Sequence, residues 1–258
     1  MITFNAVGMT FPTADGPSIR ALSNITLAIA RNEFVCVVGP SGCGKSTLLR
    51  LIAGLLGPTE GEVAIEGTVV SAPRKDLGFV FQSPTLLSWS TVLANVLFPL
   101  RLMRAVTDDA IERAKKFLAI IGLAGFENRY PGELSGGMQQ RVAICRALLH
   151  DPSILLMDEP FGALDALTRE EIALELLRIW EAKPKTVVFV THSIPEAVLL
   201  ADRIVIMSPR PGEIKEIINV NLPRPRSFDL EQDPAFHEYT RTIRDVIFGS
   251  RAPLQGSV

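Results

Sequence analysis

The chain has 258 residues, 47% of them hydrophobic, and a formal net charge of −2 at pH 7. This length and apolar content suit one large α/β domain, and they exclude a disordered chain. A nearly neutral chain without a basic face argues against a nucleic-acid partner. Three cysteines cannot all pair with one another, which favours reduced thiols and a cytosolic location. No apolar run approaches the roughly 18 residues of a membrane span.

The first third of the chain predicts strands around one glycine-rich loop. The alternating or continuous apolar runs that indicate strands are 2–7, 24–29, 34–38, 61–65 and 77–81. Phe11 falls in the expected turn between the first two strands. A helical pattern begins at Ser46, and Gln82 follows the last of these strands immediately.

The composition then becomes helical, and the α/β pattern resumes later. Residues from about 84 to 150 predict a helical lobe with helices at 91–104 and 107–121, the second one capped by Thr107. A buried strand at 154–157 ends at Asp158 and Glu159. Further elements are expected as a helix at 166–182, strands at 186–190 and 203–207, a helix at 195–200, and a last helix after Asp233 and Pro234.

The glycine-rich loop matches the phosphate-binding pattern G-x-x-x-x-G-K-[ST] in the strand–loop–helix context that this pattern requires. Glycines let successive backbone N–H groups converge on one anion, and the new helix adds its positive end. Lys45 can reach the β and γ phosphates of a nucleotide, and Ser46 can bind Mg²⁺. A plain glycine-rich turn is the alternative, which the flanking elements disfavour. The predicted nucleotide-binding residues are Gly39, Pro40, Ser41, Gly42, Cys43, Gly44, Lys45, Ser46 and Thr47.

Cys43 lies near a helix N-terminus, a position that can lower the pKa of a thiol. We interpret it instead as a small residue that fits the loop.

Two carboxylates, Asp158 and Glu159, stand at the carboxyl end of a predicted buried strand, where ligands of open α/β sheets bind. Adjacent strand residues point to opposite faces, so the two can have different functions. One can hold Mg²⁺ through water, and the other can orient and deprotonate an attacking water. The alternative is a pair of capping residues in a loop.

A second stretch, Ser135-Gly136-Gly137, also forms a phosphate-shaped helix N-terminus. One nucleotide does not need two such sites on the same chain. The sequence therefore predicts that this stretch binds the nucleotide of another copy.

Taken together, these motifs resemble the ATPase subunits of ABC transporters, in the order that the family shows them. The resemblance covers about residues 1–225 and includes Leu134 to Met138 and Ala163-Leu164-Asp165. It implies a nucleotide-binding core, an antiparallel β lobe and an inserted α-helical lobe. It also implies a head-to-tail homodimer with two ATP molecules between the subunits.

The resemblance assigns roles to individual residues. Phe11 corresponds to the aromatic residue that stacks on adenine, and Lys45 with the loop amides to the phosphate-binding groups. Glu159 corresponds to the general base and His192 to the γ-phosphate sensor. The Mg²⁺ site corresponds to Ser46, Gln82 and Asp158. The groups that act on the partner's ATP correspond to Ser135, Gly136, Gly137 and, at the dimer seam, Asp165. Met138 departs from the Gln of many members, with little expected effect.

Two longer stretches, 81–96 and 159–169, resemble the nitrate/sulfonate/taurine type of bacterial importer, apart from Ser88 where Pro is usual. This branch implies a permease dimer, an extracytoplasmic solute-binding protein, and peripheral attachment to the cytoplasmic face of the plasma membrane. Leu86 to Val96, with Trp89, forms either the permease-docking surface or part of the lobe core.

We expect a single ATPase domain over residues 1–258, with a helical lobe at about 84–150 and a C-terminal helical extension at about 226–258. The alternative function is a soluble ABC ATPase that acts on DNA or ribosomes. A nucleotide-binding module without turnover is disfavoured by Glu159.

Overall fold

The computed structural model describes residues 2–13 and 16–249, which divide into two compact units. The first unit contains the described residues up to 72 and from 190 onward, and the second contains residues 73–189. Within the described ranges the strands, labelled β1 to β10, are Ile2–Phe11, Ile19–Ile29, Phe34–Val38, Glu60–Ile65, Thr68–Val69, Leu77–Val80, Ile154–Asp158, Thr186–Val190, Arg203–Met207 and Ile214–Asn219. The α-helices α1 to α8 are Lys45–Ile52, Val92–Val96, Phe98–Leu102, Asp108–Ile120, Gly136–Leu149, Ala166–Ala182, Ile194–Leu200 and Pro234–Phe248.

An antiparallel sheet of order β2-β1-β4-β5 lies in the first unit, and it confirms the expected antiparallel lobe. Strand β1 is longer than its alternation predicts. Register shifts after Phe4 interrupt that alternation, but pairing with β2 resumes and ends at Phe11 opposite Ile19. The prediction that Phe11 lies in the turn was therefore wrong, because the aromatic ring is carried on the last residue of the strand.

The first unit also contains a mixed arrangement of three strands, in which β9 pairs with β3 in parallel and with β10 in antiparallel orientation. All five residues of β3 are buried, in agreement with its continuous apolar sequence. Strand β10 was not predicted, because most of its residues are exposed and include Lys215 and Glu216. Such charges are common on an edge strand.

The second unit pairs β6 with β7 in parallel, in a register that sets Val80 opposite Met157. The single helix expected at 91–104 is instead two short helices, α2 and α3. Pro99 stands in the first turn of α3 and has no N–H to donate to Asn95 four residues earlier, so the helical ladder is interrupted there. Helix α4 begins as predicted, with the Thr107 hydroxyl accepting a hydrogen bond from Ala110 N at 3.2 Å.

The C-terminal part of the first unit ends in α8, where Asp233 caps the helix and Pro234 is its first residue, as the sequence predicts. Residues 250–258 of the expected C-terminal extension lie outside the described residues. In the described ranges 2–13 and 16–249, no helix combines the length and the apolar character needed to cross a membrane.

Candidate active site

The phosphate loop lies in the first unit between the buried strand β3 and helix α1. Gly42 and Gly44 adopt φ angles of 73° and 102°, in the left-handed region that favours glycine. A β-carbon on Gly44 would also lie 2.5 Å from Leu22 Cδ2. The loop therefore needs glycine at this position both for its backbone conformation and for its close approach to β2.

Lys45, the first residue of α1, folds back over this loop. Its ammonium group donates to Gly39 O at 2.9 Å and to Pro40 O at 3.0 Å, and the residue is only 6% exposed. Ser46 and Thr47 follow, half-buried, in the first turn of the helix. One buried cation, two side-chain hydroxyls and a helix N-terminus therefore lie together at this loop. These are the groups that bind a polyphosphate.

Cys43 is buried in the loop, with its sulfur 3.9 Å from Lys45 Nζ. Burial raises the pKa of the Cys43 thiol, and the nearby Lys45 ammonium offsets this only in part. Burial likewise raises the thiol pKa of Cys36 and of Cys145. The structure therefore supports the interpretation of Cys43 as a residue that fits the loop rather than as an activated nucleophile.

His192 is exposed on the short loop between β8 and α7, also in the first unit. Its two neighbours are held firmly. The Thr191 hydroxyl donates to Glu196 Oε2 at 2.7 Å and accepts from Ser193 N at 2.9 Å, and the Ser193 side chain caps α7. These hydrogen bonds fix the backbone on the C-terminal side of His192, whose side chain is exposed at the surface. Phe11, which is predicted to stack on adenine, also lies in the first unit outside the phosphate loop. It is half-buried at the end of β1.

The second unit carries two of the predicted catalytic residues, Glu159 and Gln82, together with the predicted metal ligand Asp158. Asp158 is buried as the last residue of β7, and Glu159 follows it. Gln82 Nε2 donates to Glu159 Oε2 at 3.2 Å. Glu159 has a φ of 44°, a conformation that costs energy for a residue with a side chain and that is concentrated at functional sites.

The stretch Ser135-Gly136-Gly137, called the signature stretch below, begins helix α5 in the same unit, where the Ser135 hydroxyl accepts from Met138 N at 3.3 Å. Ser135 and Gly136 are exposed. The two glycines differ in their surroundings. A β-carbon on Gly137 would lie 3.2 Å from Ala163 O, whereas one on Gly136 would meet no atom of the described residues within 4 Å. Packing within the chain therefore explains a small residue at 137 but not at 136.

Asp165 is the N-cap of α6 and accepts from Thr168 N at 3.0 Å. The hydrogen bonds from Thr168 lower the pKa of this exposed carboxyl, so it is ionised at neutral pH. Ala163 and Leu164, which lie close to Gly137, immediately precede Asp165 in the chain. Asp165 therefore lies near the signature stretch.

Polar side chains that sequence reasoning missed hold the segment after Gln82. Asn95 is fully buried, and its amide bonds the backbone of Leu87, Ser90 and Thr91. Arg146 on α5 donates to Pro84 O and Thr85 O, each at 2.9 Å. A polar residue within an otherwise apolar helix is the sequence signal that could have identified Asn95 and Arg146, because a buried polar group needs hydrogen-bond partners.

The segment Leu86 to Val96 lies partly in the core and partly at the surface. Val92, Asn95 and Val96 are buried and belong to the lobe core, whereas Trp89 is 76% exposed. In the same unit, a cavity of about 370 Å³ opens beside α3 and α5. It is lined by Pro73, Arg74, Lys75, Leu77, Gly78, Phe79, Pro99, Leu102, Met103, Arg146, Ala147 and His150.

The phosphate loop with its buried lysine, and the strand-end carboxylates of the second unit, define a P-loop nucleotide-hydrolysing protein. Residues 22–162 match the ABC transporter family, and the chain belongs to this family as one of its ATP-hydrolysing subunits. An uncharacterized ABC transporter ATP-binding protein of Methanocaldococcus jannaschii is 54% identical over 233 residues, which cover 90% of this chain and 86% of the relative. An aliphatic sulfonates import ATP-binding protein of Bacillus cereus is 52% identical over 226 residues, which cover 88% of each chain.

A solved structure agrees with these relatives. The ATP-binding cassette MJ0796, in a dimeric post-hydrolysis state bound to ADP and Pi, matches with a TM-score of 0.78 and 38% identity over 86% of this chain and 100% of the other. The expected family, its fold and its ATPase class are thereby confirmed.

Proposed function

We propose that this chain powers an importer for a small solute of the nitrate, sulfonate or taurine kind. Two copies form a homodimer on a separate membrane permease, and an extracytoplasmic binding protein delivers the solute to that permease. The chain is then peripheral, at the cytoplasmic face of the plasma membrane. Its 52% identity to a sulfonates import protein and its 38% identity to a dimeric cassette support these proposals.

We further propose that residues 1–258 act as a single ATPase domain, with a helical lobe at about 84–150 and a C-terminal extension at about 226–258. ATP binds with its phosphates on the amides of the 39–47 loop and on Lys45, and with its adenine against Phe11. The buried ammonium group of Lys45 and the left-handed glycines of the loop support this assignment.

Ser46, Gln82 and Asp158 would hold Mg²⁺. They offer a hydroxyl, an amide oxygen and a buried carboxylate, and Mg²⁺ is commonly bound by one or two carboxylates together with substrate phosphates. Each of the three residues therefore offers an oxygen of the kind that Mg²⁺ binds. When bound, it neutralises charge on the transferred phosphoryl group. Glu159 accepts the proton of the attacking water, and His192 contacts the γ phosphate from its firmly held turn.

The observation that carries the dimer proposal is the open space beside Gly136. Among the described residues, this glycine has no positive φ and no close neighbour, so they do not explain its lack of a side chain. A group that approaches the N-terminus of α5 from outside explains it, and the phosphate of a partner's ATP suits the positive end of a helix. In this proposal Ser135, Gly136 and Gly137 bind that phosphate, and Asp165 lies at the seam.

Mixed dimers test the proposal. Lys45→Ala removes the phosphate-loop cation and Ser135→Arg blocks the signature, so each homodimer lacks both of its sites. A mixed dimer keeps one intact loop opposite one intact signature. We expect mixing to restore up to about half of the ATPase activity of the wild-type protein per mixed dimer. No recovery in mixed dimers isolated through two different affinity tags would contradict a shared site.

We propose that the permease docks on exposed Trp89 and on the 370 Å³ cavity. Arg146 lines this cavity and also bonds the carbonyls of Pro84 and Thr85, just after Gln82. A movement of the cavity wall can therefore reach Gln82 through the backbone of residues 82–85, and the hydrogen bond from Gln82 passes it to Glu159. This arrangement supports coupling between permease movement and ATP hydrolysis.

A further inference from the structure

The loop at 208–213, which joins β9 to β10, packs directly against the outer side of the phosphate loop. Its sequence, Ser-Pro-Arg-Pro-Gly-Glu, belongs to none of the motifs used above. It is held in place at one end by Ser208, whose hydroxyl accepts from Glu213 N at 3.0 Å. At Gly212 it bonds strand β2, through Gly212 N to Ala21 O at 2.9 Å and Ser23 N to Gly212 O at 3.0 Å.

The first contact concerns the peptide group between Gly42 and Cys43. The Arg210 guanidinium donates to Gly42 O through Nε at 3.2 Å and Nη2 at 3.1 Å. In a trans peptide the carbonyl and the following N–H point in opposite directions. Arg210 holds the carbonyl outward, so the Cys43 N–H points into the loop, where it donates to Pro40 O at 3.4 Å and closes a turn.

The second contact concerns the next peptide group, between Cys43 and Gly44. Gly212 is buried against it, and a β-carbon on Gly212 would lie 1.9 Å from Cys43 O. The Cys43 carbonyl therefore faces the 208–213 loop, and the Gly44 N–H points away from that loop. The 208–213 loop thus fixes the orientation of two successive peptide groups, and with them the shape of the loop whose N–H groups must receive an anion.

We propose that the 208–213 loop is a template that sets the affinity of the phosphate loop for ATP, with Arg210 and Gly212 as positioning residues. This proposal rests on the nucleotide site proposed above. A phosphate loop that became ordered only when ATP binds would bind ATP more weakly, because part of the binding free energy would be spent on ordering the loop. A loop that is already ordered avoids this cost. Arg210 is exposed, so its removal leaves the core intact.

The decisive experiment compares Arg210→Ala and Arg210→Lys with Arg31→Ala, which removes another exposed arginine, whose partner is Glu66 in the same unit. The measurements are the Kd of a fluorescent ATP analogue, KM and kcat for ATP, and the melting temperature without nucleotide. We expect Arg210→Ala to raise Kd and KM about three- to tenfold, the equivalent of one ordinary hydrogen bond. We expect kcat and melting temperature to stay unchanged, and lysine to restore part of the affinity.

Gly212→Ala is the stronger variant, because it forces the two loops apart, and we expect a larger rise in Kd. If this variant does not fold, the Arg210 pair still decides the question. An unchanged Kd in Arg210→Ala overturns the proposal. A lower kcat with unchanged KM also overturns it, since Arg210 would then act on hydrolysis or on the partner subunit. Retained ATP binding in Lys45→Ala would instead refute the nucleotide site itself.

Discussion

Gln82 and Glu159, 77 residues apart in the chain, are joined by a hydrogen bond of 3.2 Å from Nε2 to Oε2. The register of two parallel strands explains the contact. Val80 of β6 lies opposite Met157 of β7, so the residues two places further along, Gln82 and Glu159, leave the sheet side by side. The amide thus orients the carboxylate proposed as the general base.

Glu159→Gln should nearly abolish hydrolysis while ATP binding is retained. The amide oxygen of the new side chain can still accept from Gln82, but it cannot take up a proton. A positioned general base contributes about 10²–10⁴-fold in rate, and we expect a loss of that size in kcat. Single-turnover hydrolysis and nucleotide titration measure the two effects separately. Glu112→Gln, an exposed carboxylate on α4, is the matched control. Wild-type turnover in Glu159→Gln would exclude the assigned role.

Lys45→Ala should weaken ATP binding about 10- to 100-fold, because hydrogen bonds to a charged group are worth about 1.5–3 kcal/mol each. The buried ammonium group cannot be replaced by water without loss of its positive charge. Equilibrium binding of a fluorescent ATP analogue is the measurement. Lys115→Ala, which removes an exposed lysine paired with Glu112, should bind normally. Equal affinity in the two variants would remove the basis for this site.

Leu102→Ala and Trp89→Ala should impair stimulation by the permease and spare the basal ATPase activity. Both side chains are more than two-thirds exposed, at 71% and 76%, and Leu102 lines the cavity. Truncation of a central interface residue typically costs 1–2 kcal/mol or more, so we expect about a tenfold weaker apparent affinity for the permease. ATPase activity titrated with permease in nanodiscs gives this affinity. The control is Leu55→Ala, an exposed leucine of the first unit. Normal stimulation in both variants would place docking elsewhere.

His150 should make the protein less stable in mild acid. Burial lowers the pKa of the His150 imidazole below its ordinary value of 6.5, so the unfolded chain binds a proton more readily than the folded one. Above pH 6.5, His150 does not reduce the free energy of unfolding. As the pH falls from the unfolded pKa towards the lower folded pKa, the unfolded chain takes up the proton first and the free energy of unfolding decreases. Partial exposure to solvent keeps the expected loss below about 1 kcal/mol.

Urea denaturation of wild-type protein and His150→Gln at pH 7.5 and pH 5.5 measures this effect. The variant should lose less stability between the two pH values. His237→Gln, which removes an exposed histidine of α8, is the matched control. An identical pH dependence in His150→Gln and wild-type protein would mean that other groups cause the acid sensitivity.

The sequence by itself determined the features that are contiguous in the chain. The phosphate loop is complete within eight residues and flanked by a buried strand and a helix, so its chemistry depends on local geometry alone. The same is true of the caps at Thr107, Ser135 and Asp233, where a side chain binds the backbone two or three residues away. Such short-range signals also revealed the family, whose motifs are themselves contiguous.

Only the tertiary structure decided the features that depend on residues far apart in the chain. Strand β10 is an exposed edge whose charged residues hide its pairing, and Pro99 divides a helix that the apolar pattern shows as continuous. The bond from Gln82 to Glu159 depends on strand register, and the contact of Arg210 with Gly42 joins loops 168 residues apart. Periodicity reports which face of an element is buried, but not what that face packs against, and the partners of these groups are set by that packing.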